Sequence, residues 1–479
     1  MRRNAALIKS GLLFLVAGMS LPLVVMAGDW RLTDSVSADL TYVDRTGQNS
    51  SSGLVLQVSP GLRLSGKGAR SEADINYRLT TSVGTGSIDP KNLSHSLRAS
   101  SRVEVVDNAF FIGANASARL VGNSATSGIV DSINVNTDGS QSYSMEITPE
   151  FRHHLNRYAD IVSNNRLNYV TYGGDNSNSN DSSRSVQTNV GVRSGRIFGP
   201  LNWSLDATQR RTSYDDRDDK NSTYDLGLGY RINGQVRVRG VLGYEKNDVQ
   251  TLRTDTDGNT WKLGFDWTPT QRTSISADYG RRYLGNVFSG AINHRTRRTR
   301  LSLDFSRDIS NRRSAQLIDS FFFLIDSTTG LPIVDPATGD PILVNIPDLQ
   351  QFDEDFLNTQ VRAAIAVTGR RSSASLTVNA SNRQYEISDI DEDSRGLTLS
   401  LTRQLGDGYN GSVRSSLRRA EGTAGGSSDT FDVQLSLGKK LSPRTSASLE
   451  ILHRNYDGSS SNSDYTENRI GISLRSSFL

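Results

Sequence analysis

The chain has 479 residues, 35% hydrophobic and 22% charged, with 42 glycines, 11 prolines and no cysteine. So polar a composition excludes a bundle of membrane-crossing helices, and the missing cysteine excludes disulfide frameworks, thiolate nucleophiles and cysteine-ligated metal centres. The formal charge of +3 carries no nucleic-acid signal, because Arg2, Arg3 and Lys9 in the acid-free first 27 residues supply the whole excess and basic and acidic residues balance from Gly28 onward.

Residues 1–27 read as a cleaved secretory signal: a basic start, an apolar stretch from Gly11 to Met26 broken by Pro22, and small residues at Val25 and Ala27. An exported protein with its cut before Gly28 is expected. A retained anchor is the alternative.

From Trp30 onward the pattern is alternation. In Phe110–Leu120 one face carries Phe110, Ile112, Ala114, Ala116, Ala118 and Leu120, and the other Phe111, Gly113, Asn115, Ser117 and Arg119. The same period of two recurs at Leu226, Leu228 and Tyr230, at Leu301, Leu303 and Phe305, at Leu397, Leu399 and Leu401, and at Val433, Leu435 and Leu437. A soluble sandwich needs a core rich in large side chains, and only 7% of the residues are aromatic. A membrane barrel needs one apolar face and tolerates a polar lumen.

The connections alternate as well. Short turns are expected at Gly66–Gly68, Asp107-Asn108, Leu155–Arg157, Gly199-Pro200, Asn233-Gly234, Thr268–Arg272, Ser310–Arg312, Arg370-Arg371, Gly406–Gly408 and Ser442-Pro443. Longer polar stretches lie between, among them Asp44–Ser52, Gly173–Ser183 and Asp248–Gly258. The predicted fold class is therefore all-β, a single transmembrane outer-membrane β-barrel of antiparallel up-and-down strands over 28–479. About 22 strands are expected, within roughly 18 to 24, with both termini on the periplasmic side.

The best-patterned hairpin runs from Trp261. Trp261, Leu263, Phe265 and Trp267 form a lipid-type face, with Lys262, Gly264 and Asp266 opposite. The following strand places Ile275, Ala277 and Tyr279 outward and Ser276, Asp278, Gly280 and Arg282 inward. This stretch, WKLGFDWTPTQRT followed by ISADYGRRY and HRTRRTRLSLDFSRD at His294–Asp308, resembles the outer-membrane proteins associated with PEP-CTERM/exosortase systems. The specific likeness lies in 261–308. It implies a Gram-negative outer membrane and a link to exopolysaccharide production, and it supplies no catalytic residue.

Alternation between 226 and 304 assigns Arg231, Arg237, Arg239, Lys262, Arg282, Arg298 and Arg300 to the lumen, against Glu245, Asp266, Asp278 and Asp304. The cluster His294–Arg300 is expected on the extracellular side, with His294, Arg298 and Arg300 inward and Arg295 and Arg297 outward. Its guanidinium forks suit lipopolysaccharide phosphates or an anionic glycan, and a salt-bridged rim with Asp278 and Asp304 is the structural alternative.

Farther on, 325–352 contains a near-repeat, DSTTGLPIV then DPATGDPIL, read as an extracellular hairpin or a lumen-folded constriction. It has no EF-hand spacing for calcium. The last strand sets Ile470, Ile472, Leu474 and Phe478 on one face, and the penultimate Phe478 is the candidate signal for the barrel-assembly machinery.

No nucleophile elbow, zinc-protease motif or nucleotide loop is present, so neither enzymatic activity nor a cofactor is expected. The expected partners are outer-membrane lipid, lipopolysaccharide and the assembly machinery, with exopolysaccharide and periplasmic export components for the conduit reading and no nucleic acid. A barrel this wide holds either water or a plug. The sequence favours a passive outer-membrane conduit for polysaccharide or a related product. A non-conducting barrel anchoring surface glycan or protein, and a general diffusion porin, are the alternatives.

Overall fold

The structure is a computed structural model and describes residues 28–47, 50–122, 130–133, 139–173, 182–214, 217–249, 256–311, 355–422, 426–459 and 464–478. The signal-peptide reading and the 325–352 hairpin lie outside the described residues.

Among the described residues twenty-two strands follow one another. The first eight are β1 (Gly28–Gly47), β2 (Ser51–Gly68), β3 (Ser71–Gly84), β4 (Leu93–Val106), β5 (Phe110–Gly122), β6 (Gly139–Leu155), β7 (Ala159–Gly173) and β8 (Ser183–Ser194). A 3-10 turn at Arg196–Phe198 leads to β9 (Leu201–Ser213), β10 (Asp218–Arg231), β11 (Val236–Asp248), β12 (Gly258–Thr270), β13 (Thr273–Arg282), β14 (Gly285–Arg295) and β15 (Thr299–Asn311). The wall is completed by β16 (Asp355–Thr368), β17 (Ser372–Tyr385), β18 (Asp391–Gly406), β19 (Tyr409–Glu421), β20 (Ser427–Lys440), β21 (Thr445–Gly458) and β22 (Tyr465–Ser477). Each pairs antiparallel with its neighbours in sequence, as in β12 with β13. β22 closes on β1, from Ser35↔Ser477 to Gly47↔Tyr465, so the sheet has no free edge.

Large apolar side chains stand on the outside. Leu242 and Leu263 are each 63% exposed and Ile472 is 62% exposed, an arrangement that water opposes and acyl chains favour. Small and polar residues alternate with them on the inner face. Prolines sit where pairing is interrupted: Pro60 at a gap in the β2–β3 ladder and Pro149 at a gap between β6 and β7. Each lacks the N–H that such a row would need. Pro269 lies in the register shift between Trp267 and Thr270.

The short turns all leave one rim, which is the periplasmic rim in barrels of this kind. Asn108, Asn156 and Asp407 hold left-handed conformations there at φ 53°, 54° and 49°, which side chains of the Asn/Asp type tolerate best.

One expected turn is wrong. Ser310 lies inside β15, and the two-residue connection Tyr283-Leu284 turns the chain on the long-loop rim instead, with Gly285 at φ 128°. Only glycine adopts that conformation readily. The segment 273–295 thus crosses the barrel twice, which moves the His294–Arg300 cluster from the expected extracellular side to the short-turn rim.

Candidate lumenal site

Strand pairing fixes which side chains enter the lumen, since directly opposed residues share a face. The exposed Trp261, Leu263 and Phe265 face outward, so Lys262, Asp266, Arg237, Arg239, Glu245, Asp278 and Arg282 face inward, as expected. Arg231 joins them opposite Arg237, and Asp304 is inward opposite Arg362.

The cluster in β14–β15 differs. His294 pairs with Thr273, two places from the outward Ile275, and its Nδ1 lies 2.8 Å from the Thr273 hydroxyl. His294 is therefore on the outer face. Arg295, expected outward, is inward and directly opposite Arg300, whose inward assignment holds. Arg297 and Arg298 belong to the turn, outside strand alternation. Asp278 and Asp304 do not pair with this cluster among the described residues.

Among the ion pairs of the lumenal face are three connected sets, the first in β11–β13. Arg239 in β11 donates two hydrogen bonds to Asp278 in β13, Nε to Oδ1 at 2.8 Å and Nη2 to Oδ2 at 2.7 Å, and also contacts Asp266 in β12. Its planar fork ties three strands together. Toward the long-loop rim, Arg282 meets Glu245 at 3.0 Å and Asp308 at 2.9 Å. The Tyr283 N–H donates to Glu245 at 2.6 Å, so the buried Glu245 anchors the tight turn that the sequence concealed.

The third set crosses between loop and wall. Glu467 in β22 is fully buried and meets Arg45 of β1 at 2.6 Å, Arg469 at 2.8 Å and Arg454 of β21 at 3.5 Å. Arg454 also holds Asp432 of β20 at 2.7 Å. From the β5–β6 connection, Asp131 reaches Arg469 at 2.9 Å and Arg454 at 3.6 Å. The three guanidinium groups thus face three carboxylates, which offsets the cost of taking them out of water. Asp131 belongs to the loop after β5, yet its partners lie beyond β4, β3, β2 and β1.

Glycine clears the way for this inward course. Gly53 and Gly84 face the lumen, and a Cβ on Gly53 would stand 2.0 Å from the Thr85 carbonyl oxygen, while one on Gly84 would stand 2.4 Å from that of Ile88. The β3–β4 connection can therefore lie against β2, where the Thr85 and Ser87 N–H groups donate to the Leu54 and Ser52 carbonyls. The Lys91 N–H then donates to the Ser132 carbonyl at 3.1 Å, and Gln57 Nε2 donates to the Ser82 and Ser132 hydroxyls, each at 2.9 Å. Two connections and the wall form one hydrogen-bonded body over the lumenal face of β1–β3, leaving Val43, Val55 and Ser82 almost wholly buried.

Sequence reasoning missed Asp131, which has no distinguishing signal in its surroundings. Arg454, Glu467 and Arg469 were legible in principle, as they alternate with Ile451 and Ile470, both outward and exposed. Among the described residues no group of His, Asp and Glu has the arrangement of a metal site. An apolar groove lined by Val367, Leu401, Val413, Leu437 and Leu449 lies on the outer face, where lipid rather than solute fills it. Phe478 is exposed on the short-turn rim, its N–H donating to the Asp34 carbonyl at 3.2 Å.

No protein-family model matches the chain, and no curated protein does. Solved structures do match. A double mutant of the ferric enterobactin receptor from Pseudomonas aeruginosa is 9% identical, with a TM-score of 0.50 over 93% of this chain and 80% of that one. A second mutant of that receptor, in complex with enterobactin, gives 9% identity and a TM-score of 0.50 over 93% and 81%. An iron transporter from Neisseria meningitidis matches at 10% identity and a TM-score of 0.47 over 95% and 82%. At these identities the shared property is the fold: this chain is a closed outer-membrane β-barrel.

Proposed function

We propose that the protein is a gated transport barrel of the Gram-negative outer membrane, which moves a bulky polar solute and is shut at its long-loop mouth by inward-folded connections. The observation that carries this reading is Asp131, anchored by Arg454 and Arg469 on the wall beyond β1. A loop tied to the wall narrows the mouth, and a barrel of 22 strands is wide enough to hold a channel or a plug. The resemblance in 261–308 makes a product of an exopolysaccharide system the cargo, delivered by periplasmic export components. A permanently open, passive conduit is the weaker form of that idea, because the folded connections narrow the path.

A second reading, receptor-type uptake, draws on the likeness in fold to a ferric enterobactin receptor. Single-channel recording of the refolded barrel tests the transport reading. The wild type is expected to be mostly silent, and Asp131→Ala to give long openings. Steady wild-type current unaffected by Asp131→Ala contradicts gating. Retention of ferric enterobactin, with no polysaccharide retained, favours the receptor form.

A further inference from the structure

The short-turn mouth carries a local excess of basic residues. In the six turns from β10–β11 to β20–β21, that is 230–237, 267–273, 294–300, 367–373, 403–409 and 439–445, Asp407 is the sole acidic residue. Every one of these turns contributes arginine or lysine, including the exposed Arg272, Arg298, Arg371 and Arg444. No ion pair joins these basic residues to a carboxylate among the described residues. In three of the other four turns of this rim basic residues do meet carboxylates: Arg70 pairs with Asp107, Arg152 with Glu150 and His154 with Asp160.

Pairing then gives the charge a direction. Arg231 lies directly opposite Arg237, whose partner on the other side is Asp266, a carboxylate already held by Arg239, and Arg295 lies directly opposite Arg300, all on the lumenal face. Like charges directly opposed across two strands destabilise a sheet unless something negative lies between them. Arg272 and Arg298 flank the second pair, their carbonyls accepting from the N–H groups of Arg295 and Thr368. On the outer face the strand-borne basic residues of this sector are Arg403 and Lys439, and Lys439 donates to the Tyr409 hydroxyl at 2.7 Å. The charge is thus aimed at the lumen more than at the lipid belt.

We propose that the arginine pairs 231/237 and 295/300, with the turn arginines around them, form a binding site for an acidic polymer bearing carboxylate or phosphate groups, engaged at the periplasmic mouth of the barrel. This rests on the transport reading and narrows its cargo to a polyanion. Guanidinium forks bind both kinds of anion in bidentate fashion, and a polymer with regularly spaced charges engages several turns at once.

The test is fluorescence anisotropy of labelled polygalacturonate oligomers with the refolded barrel in nanodiscs of zwitterionic lipid. Binding that weakens with salt, and that R231S/R237S/R295S/R300S weakens roughly ten-fold or more, is expected. The lysine version of the four-site variant should keep most of the affinity, and heat-modifiable migration should confirm that both variants are folded. Neutral dextran of equal length binding as well as polygalacturonate overturns the proposal, as does unchanged affinity in the serine variant. Abolition of polymer binding by phosphatidylglycerol in the nanodisc also overturns it, by assigning the site to lipid headgroups. If Asp131→Ala opens channels and no polyanion binds, this inference falls and the transport reading stands. If polyanion binds and no variant conducts, the reverse holds.

Discussion

The two mouths of the barrel handle arginine in opposite ways. At the long-loop mouth Arg45, Arg454 and Arg469 converge on Glu467, Asp131 and Asp432, and the set is buried beneath an inward connection. At the short-turn mouth Arg231 faces Arg237 and Arg295 faces Arg300, and the one carboxylate directly opposite these arginines, Asp266 across from Arg237, is taken up by Arg239. A chain that is formally neutral from Gly28 onward is therefore polarised along its axis. The paired mouth has the chemistry of a structural closure, and the unpaired one has the chemistry of a surface awaiting an anion.

Substitutions in the buried cluster, on the lipid face and at an exposed pair should differ widely in cost. Glu467→Gln removes the buried negative charge from among three guanidinium groups and should cost about 3–5 kcal/mol, read as a lowered urea midpoint in detergent or liposomes. On the lipid face, Ala277→Arg places a charge among outward neighbours Phe265 and Gly290. It should cost about 2–4 kcal/mol if it lies near mid-bilayer, and unchanged folding yield and stability would refute the register of β12–β14. Arg63→Ser should have the smallest effect. Its 3.3 Å pair with Asp74 is about half exposed on both sides, and such pairs contribute under about 1 kcal/mol. An Arg63→Ser loss equal to that of Glu467→Gln would contradict the distinction drawn between buried and exposed pairs.

Much of this architecture was legible in the sequence because a barrel strand obeys a period of two along its whole length. Residues Trp261–Arg282 were placed on the correct faces from alternation alone, and nine of the ten expected short turns recur in the structure. The failure at Tyr283-Leu284 has a physical reason. That connection sits on the long-loop rim but is only two residues long, with no polar run to announce it, and its geometry depends on Gly285 and on the Glu245 carboxylate from another strand. Missing one reversal exchanged the rims for His294–Arg300, and placing a turn at Ser310–Arg312 restored the count beyond it. Pairing register, which a single sequence does not contain, was needed to set Arg295 against Arg300 and His294 toward lipid. The Asp131 contact was out of reach for the same reason, since its partners lie 323 and 338 positions away in sequence.

Residues 130–133 of the connection after β5 are held inside the mouth, Ser132 against Gln57 of β2 and Asp131 against Arg469 of β22. The chain has no cysteine, so the Gln57→Cys, Ser132→Cys double variant carries only the two introduced thiols. Crosslinking these thiols in intact outer membranes with a short thiol-specific reagent tests the placement without disturbing Asp131. The expected result is efficient crosslinking in the wild-type background, reduced by Asp131→Ala. Absence of a crosslink in folded barrels whose thiols both react with a monofunctional reagent would contradict the inward fold, and with it the closed mouth.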